Sequence, residues 1–227
     1  MTRKNLCTTL KLLVFACAFT GTISACILAE SHGVSHWATK LMFFTHQSNV
    51  WIAVTCFAIA LLVLCGKHVP DWLYRARYVF VISITLTCLI FCGLLAPFAS
   101  QVDYSVWEYY SILNHVVVPV LAIADFCLDK QDISLAKKDT WLCFLPPLAY
   151  FAFALPLVLC GVDFGRGEPY PYYFFNFYTD AGLFGFVGDT NPVQIGSVYW
   201  FVFICLVILG ISWLFYMVGK SKKINKD

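Results

Sequence analysis

The chain has 227 residues, 60% of them hydrophobic and only 12% charged, a balance that excludes a soluble globular domain and points to lipid as the solvent. A net charge of +2 is too small to indicate a nucleic-acid partner, and 18% aromatic residues fit a protein whose Trp and Tyr sit at membrane interfaces. The expectation is an all-α, polytopic membrane bundle forming a single domain over residues 1–227, with no soluble module.

A hydrocarbon core of ~30 Å needs about 20 apolar residues per helix. Six runs qualify, at about 8–29, 42–65, 77–99, 109–128, 140–161 and 197–219. The first follows a basic start and contains "ISAC", Ile23 to Cys26, which resembles a lipoprotein signal with Cys26 as the lipidated residue. The apolar stretch continues through "ILA" and is long enough to span, so an uncleaved first helix is expected. Cleavage would leave the other five helices oriented as before.

The second run opens with five consecutive polar residues, Thr45 to Asn49, in "FFTHQSNVW". Thr45 and Asn49 are four apart and share a helix face, with His46 on the neighbouring face. The fourth run opens "YYSILNHVVVPVLAIADF", where Ser111 and His115 align and Asn114 lies beside them. Pro119 has no N–H to donate, so a kink and a free His115 carbonyl are predicted there. Asp125 and Asp129 fall near the other end of this helix and read as solvated. Residues 162–196 form a long loop containing "GEPYPYYFFNFY", Gly167 to Tyr178, which reads as an aromatic, Pro-rich lid along the interface. That loop also carries Asp163, Glu168, Asp180 and Asp189, with Arg166 as its one base.

The basic residues alternate along the chain. Arg3, Lys4 and Lys11 lie at the start, Lys67, Arg75 and Arg77 in the second loop, Lys130, Lys137 and Lys138 in the fourth, and Lys220, Lys222, Lys223 and Lys226 at the end. Only Lys40 and Arg166 fall in the first, third and fifth loops. The positive-inside rule therefore predicts a multi-pass protein of the cell membrane with both termini cytoplasmic and the 162–196 loop external.

With that orientation, Thr45 lies ~5 Å and His115 ~9 Å below the outer surface. A lone Thr in a membrane helix usually bonds its own backbone or a neighbouring helix, whereas an intramembrane His is a functional candidate by default. Their matched depth predicts an outer cavity roofed by the fifth loop and floored by Thr45, Asn49 and His115. His46 lies nearer the surface, where it reads as snorkelling. The eleven cysteines, without any C-x-x-C, read as small hydrophobes, and neither a metal nor a cofactor is expected.

The polar "FTxxSN" opening the second helix, the "NHxxxP" turn in the fourth and "YPYYFF" before the sixth resemble the bacterial Pr6Pr membrane proteins. These are distantly similar to the androgen-induced-gene family of intramembrane threonine hydrolases. The resemblance implies cleavage of lipid esters of hydroxy fatty acids by a membrane Thr and a membrane His, matched here by Thr45 and His115. Two departures from the hydrolases stand out. Their His and Pro are five apart, whereas His115 and Pro119 are four apart, and the polar "HQSN" after Thr45 is not the eukaryotic pattern.

On this reading Thr45 Oγ1 attacks the ester carbonyl and His115, neutral at pH 7 from its ordinary pKa near 6.5, takes the proton. Asn49, Asn114 and Ser111 are the supporting residues, the two amides either orienting His115 or donating to the oxyanion. No carboxylate is placed to help, since Asp125 is ten residues on, about 15 Å along the axis. The expected partners are membrane lipids and a lipid-ester substrate. Two rivals share the residues: a non-enzymatic lipid- or small-molecule-binding or transport protein, and a haem carrier ligated by His46 and His115.

Overall fold

The computed structural model describes residues 2–32, 36–97, 107–129, 135–188 and 194–224. Six helices are long and apolar enough to cross a membrane: α1 Arg3–Ile27, α2 Phe44–Leu64, α3 Asp71–Leu95, α4 Tyr109–Leu128, α5 Asp139–Leu159 and α6 Ser197–Lys220. The chain is thus a multi-pass helical bundle. Its surface carries the large apolar side chains a bilayer would cover, among them Ile27, Val54, Leu64, Leu206 and Leu214. The expected end of the third run at 99 and the residues Lys130 and Asp189 fall outside the described residues.

Local chemistry sets the helix limits. The Thr2 hydroxyl accepts the Asn5 N–H at 3.3 Å, so α1 begins at Arg3, ahead of its apolar run. Pro70 precedes α3, which therefore starts at Asp71 and carries Arg75 and Arg77 in its first turns. Pro146 and Pro147 lack the N–H groups that would continue a helix from Asp139–Leu142, so α5 restarts at Leu145.

Helix α3 is the most buried of the six. It packs on α2, α4, α5 and α6, while α1 closes the opposite side against α2 and α4. Tyr78 of α3 donates to the Ser212 carbonyl of α6 at 2.8 Å, a buried bond that fixes the register of the two helices. The 162–196 connection folds back over one end of the bundle. It holds a 3₁₀ turn at Tyr173–Phe175 and a two-stranded antiparallel ribbon, β1 Phe186–Val187 with β2 Gln194–Ile195.

Two helices widen into π turns, Phe91–Leu95 in α3 and Leu113–Val117 in α4. Each ends on a residue that precedes a proline, Ala96 before Pro97 and Val118 before Pro119. The Val118 N–H bonds the Leu113 carbonyl, five residues back. In that register the donor Pro119 lacks would have served Asn114, not His115. The expected free carbonyl is therefore displaced by one residue, and the Asn114 oxygen is taken up instead by Asn49 Nδ2 at 3.1 Å from α2.

At the end of the bundle nearest the chain termini, Lys11, Arg77, Asp125 and Asp129 form a closed ion cluster. Lys11 Nζ lies 2.8 Å from both carboxylates, and Arg77 pairs with Asp125 at 2.7 Å and Asp129 at 2.6 Å. Asp125 and Arg77 are fully buried and Asp129 is 20% exposed, so the expectation of two solvated acids is overturned. The hydrophobic spacing of α4 turns Asp125 toward α1 and α3, where the two cations neutralise it.

Candidate functional site

The opposite end of the bundle brings Thr45 and His115 together. Thr45 occupies the first turn of α2 and points at α4, with its Oγ1 3.3 Å from His115 Nε2. His115 lies within the π turn of α4, whose extra residue reaims its side chain. The ring stacks on Phe91, the first residue of the other π turn, with centroids 4.1 Å apart and planes at 18°. Two helix irregularities thus meet at one imidazole.

The second ring nitrogen settles the tautomer. His115 Nδ1 lies 2.9 Å from the Ser111 main-chain carbonyl and 3.2 Å from the Ser111 hydroxyl. A carbonyl only accepts, so Nδ1 carries the proton and Nε2 presents a lone pair to the Thr45 hydroxyl. The Ser111 carbonyl thereby fixes the orientation of the imidazole ring. The first-turn position of Ser111 relative to His115 is a spacing of four, legible in the sequence; the role of its backbone oxygen is not.

Asn49 and Asn114 stand behind this pair. Asn49 is fully buried and does not line the cavity, contrary to expectation: its Nδ2 donates to the Thr45 carbonyl at 2.8 Å and to the Asn114 carbonyl at 3.1 Å. It ties the first turn of α2 to the π turn of α4, which fixes the separation of the Thr45 and His115 side chains. Asn114 is buried against α1 at Gly21, where a Cβ would collide with its amide oxygen. Ser48 also bonds the Thr45 carbonyl, at 3.0 Å, and reaches Thr87 of α3 at 3.0 Å. His46 is buried rather than snorkelling, because the first turn of α2 lies inside the protein.

Sequence reasoning singled out the aromatic loop but not the residue that enters the site. Tyr172 Oη accepts the Thr45 N–H at 3.3 Å and lies 3.4 Å from Thr45 Oγ1. Helix α2 has no side-chain cap of its own, since Phe43 occupies the N-cap position, and Tyr172 supplies the missing acceptor from 127 residues away. The ring is held by a parallel stack on Phe174 and an edge contact with Phe43. Burial raises the Tyr172 phenol above its ordinary pKa, against the opposing effect of its hydrogen bonds to Thr45.

A cavity of ≈ 290 Å³ opens beside the pair, walled by side chains such as Leu86, Ile90, Phe151, Phe175, Phe201 and Ile208. Thr45, His115 and Tyr172 lie on its wall. It suits an apolar chain that presents one polar group to the hydroxyl. Both ring nitrogens of His115 are engaged by Thr45 and Ser111, which does not fit axial haem ligation. Among the described residues no group of three or more His, Cys, Asp or Glu is arranged to hold a metal.

Fold and site together define a polytopic helical membrane protein with a partly buried hydroxyl–imidazole pair on the wall of an apolar cavity. No family model, curated protein or solved structure matches the chain.

Proposed function

We propose that the protein is a Pr6Pr-like threonine hydrolase of lipid (fatty-acid) esters, with Thr45 as nucleophile and His115 as general base. The observation that carries this reading is the donor order at the site. The Ser111 carbonyl holds the proton on Nδ1, so Nε2 is free to accept from the Thr45 hydroxyl 3.3 Å away. A structural Thr would need only a backbone bond. The apolar cavity next to Oγ1 supports an acyl chain as the bound part of the substrate.

The deciding experiment is labelling of the purified protein with an alkyl fluorophosphonate, followed by mapping of the modified residue. Modification at Thr45 in the wild type, absent in Thr45→Ala, supports the hydrolase. Equal labelling of both proteins removes it. The nearly wholly apolar cavity, with no carboxylate on its wall among the described residues, favours as second reading a lipid-binding or transport protein that breaks no bond. That reading predicts saturable lipid binding by wild type and Thr45→Ala alike, with no ester turnover.

The site belongs, on this proposal, to the outer half of the cell membrane, with both termini cytoplasmic. The support is the thirteen of fifteen Lys and Arg residues that fall on one side of the six spans. Reporter fusions after Lys67, Lys138 and Asp227 are expected to read cytoplasmic, and one after Gly167 external. An external signal from the C-terminal fusion overturns the orientation.

A further inference from the structure

Tyr172 is the only contribution of the 162–196 loop to the hydrogen-bonded site around Thr45 among the described residues. A backbone N–H only donates, so Tyr172 Oη is the acceptor in its 3.3 Å bond with Thr45. The phenol's own proton is therefore directed elsewhere, and the Thr45 hydroxyl 3.4 Å away is within reach of it. A consistent chain of donors follows. Tyr172 O–H faces Thr45 Oγ1, Thr45 O–H faces His115 Nε2, and His115 Nδ1–H faces the Ser111 carbonyl.

We propose that Tyr172 is a catalytic residue, its phenolic O–H acting with the Thr45 backbone N–H as the donor pair for the oxyanion of the Thr45 addition step. The proposal rests on the hydrolase reading and adds to it the group that stabilises the developing charge. As Oγ1 bonds the carbonyl carbon, its proton passes to Nε2 and the carbonyl π pair moves onto oxygen. That oxygen is carried on the carbon now attached to Oγ1, and the Thr45 N–H and Tyr172 O–H turn to it from the bonds they make to Tyr172 Oη and Thr45 Oγ1 in the resting site. Return of the pair re-forms the carbonyl, breaks the bond to the leaving alkoxide and transfers the Nε2 proton to it. Water then repeats the sequence on the acyl-threonine.

Three observations support a charge-stabilising role over simple capping. The Thr45 N–H belongs to the first turn of α2, where the helix end favours negative charge. The phenol is kept protonated by burial, as a donor at neutral pH must be. Its ring is fixed by Phe174 and Phe43, so the donor is positioned before substrate arrives.

The test compares wild type, Tyr172→Phe and a variant with fluorotyrosine at position 172, all as the full chain in detergent. The readouts are Thr45 labelling by the fluorophosphonate, steady-state turnover of a p-nitrophenyl acyl ester, and Tm. Loss of one oxyanion donor is expected to lower kcat by about 10²–10³-fold with little change in KM. The labelling rate should fall in parallel, with Tm nearly unchanged. The fluorinated phenol keeps the cap but ionises at lower pH, so the alkaline limb of the pH–rate profile should move toward lower pH. A Tyr172→Phe protein that labels and turns over at the wild-type rate overturns the proposal. So does an alkaline limb that stays in place with fluorotyrosine, and this second arm holds even if Tyr172→Phe folds poorly. Wild-type protein that is not labelled at Thr45 is a different result, since it removes the hydrolase reading itself.

Discussion

Helix α4 carries two buried polar clusters, one near each end, and they are built on opposite terms. The ion cluster at Asp125 and Asp129 matches two acids with two bases at 2.6–2.8 Å, and its charges balance. The cluster at His115 uses neutral groups at 2.9–3.4 Å and lies on a cavity wall. The first has its charge interactions closed within the protein. The second holds the Thr45 hydroxyl, the His115 ring and the Tyr172 phenol against one another on the wall of a cavity. A buried group whose charge is balanced by its neighbours serves assembly, and one that lies on a cavity wall is available to a ligand.

The largest expected effect comes from breaking the matched cluster. Arg77→Ala leaves Asp125 buried beside a single cation, which is expected to cost about 3–5 kcal/mol of stability. Thermal unfolding in detergent and the yield of folded protein measure it. An Arg77→Ala protein with the wild-type Tm would show that Asp125 is solvated after all, and the contrast between the two ends would collapse.

The open cluster should respond in activity instead. Thr45→Ala and His115→Ala are each expected to reduce ester turnover by about 10³-fold or more, and the double variant no further, because the pair acts as a unit. Thr45→Ala gives up the Oγ1 contacts to His115 and Tyr172, about 1 kcal/mol each, so its Tm should fall modestly, and His115→Ala, which also loses the Ser111 bond and the Phe91 stack, should fall further. Thr45→Ser should retain part of the activity, and His46→Ala should leave most of it. A large fall in Tm for Thr45→Ala, with no effect on turnover beyond the folded fraction, would make the two clusters alike.

Asn49→Ala probes the tie between α2 and α4 that sets Thr45 against His115. It leaves the Asn114 carbonyl without its cross-helix donor and is expected to cost about 1–3 kcal/mol. Turnover should fall as well, through movement of His115 relative to Thr45, while Asn49→Asp should not restore it because an ionised carboxylate cannot donate. Activity unchanged in a destabilised Asn49→Ala protein would show that the α2–α4 tie holds the fold and not the site.

The smallest effect is that of acid. Burial raises the Asp129 carboxyl, but Arg77 and Lys11 pull it down further, so its folded pKa lies below the ordinary value. A depressed carboxylate contributes stability that is complete above the unfolded pKa, about 3.9, and is lost as the pH falls through the folded value. Stability should therefore hold from neutral pH to about pH 4 with respect to this group, and an Asp129→Asn protein should lose the acid-side part of the unfolding curve. An identical acid limb in both proteins would show that Asp129 is not held by the two cations.

The sequence by itself determined the spans, because solvation in lipid demands long, uninterrupted apolar runs whose backbone bonds are internal. Tyr109–Leu128 has the expected limits, and the other helices, such as Phe44–Leu64, differ from theirs by a few residues at most of their ends, where caps and prolines decide. The pairing of depth between Thr45 and His115 was also legible, since both lie near the start of helices that run the same way. Tertiary structure decided the rest. Pairwise spacing along one helix cannot say which face a charge is buried on, so Asp125 read as solvated until α1 and α3 brought Lys11 and Arg77 to it. The proline signalled a freed carbonyl, but a π turn moved it from His115 to Asn114, because widening a helix shifts every acceptor by one. Tyr172 was invisible as a partner of Thr45 for the plainest reason: 127 residues separate them, and only the folding of the loop over the bundle makes them neighbours.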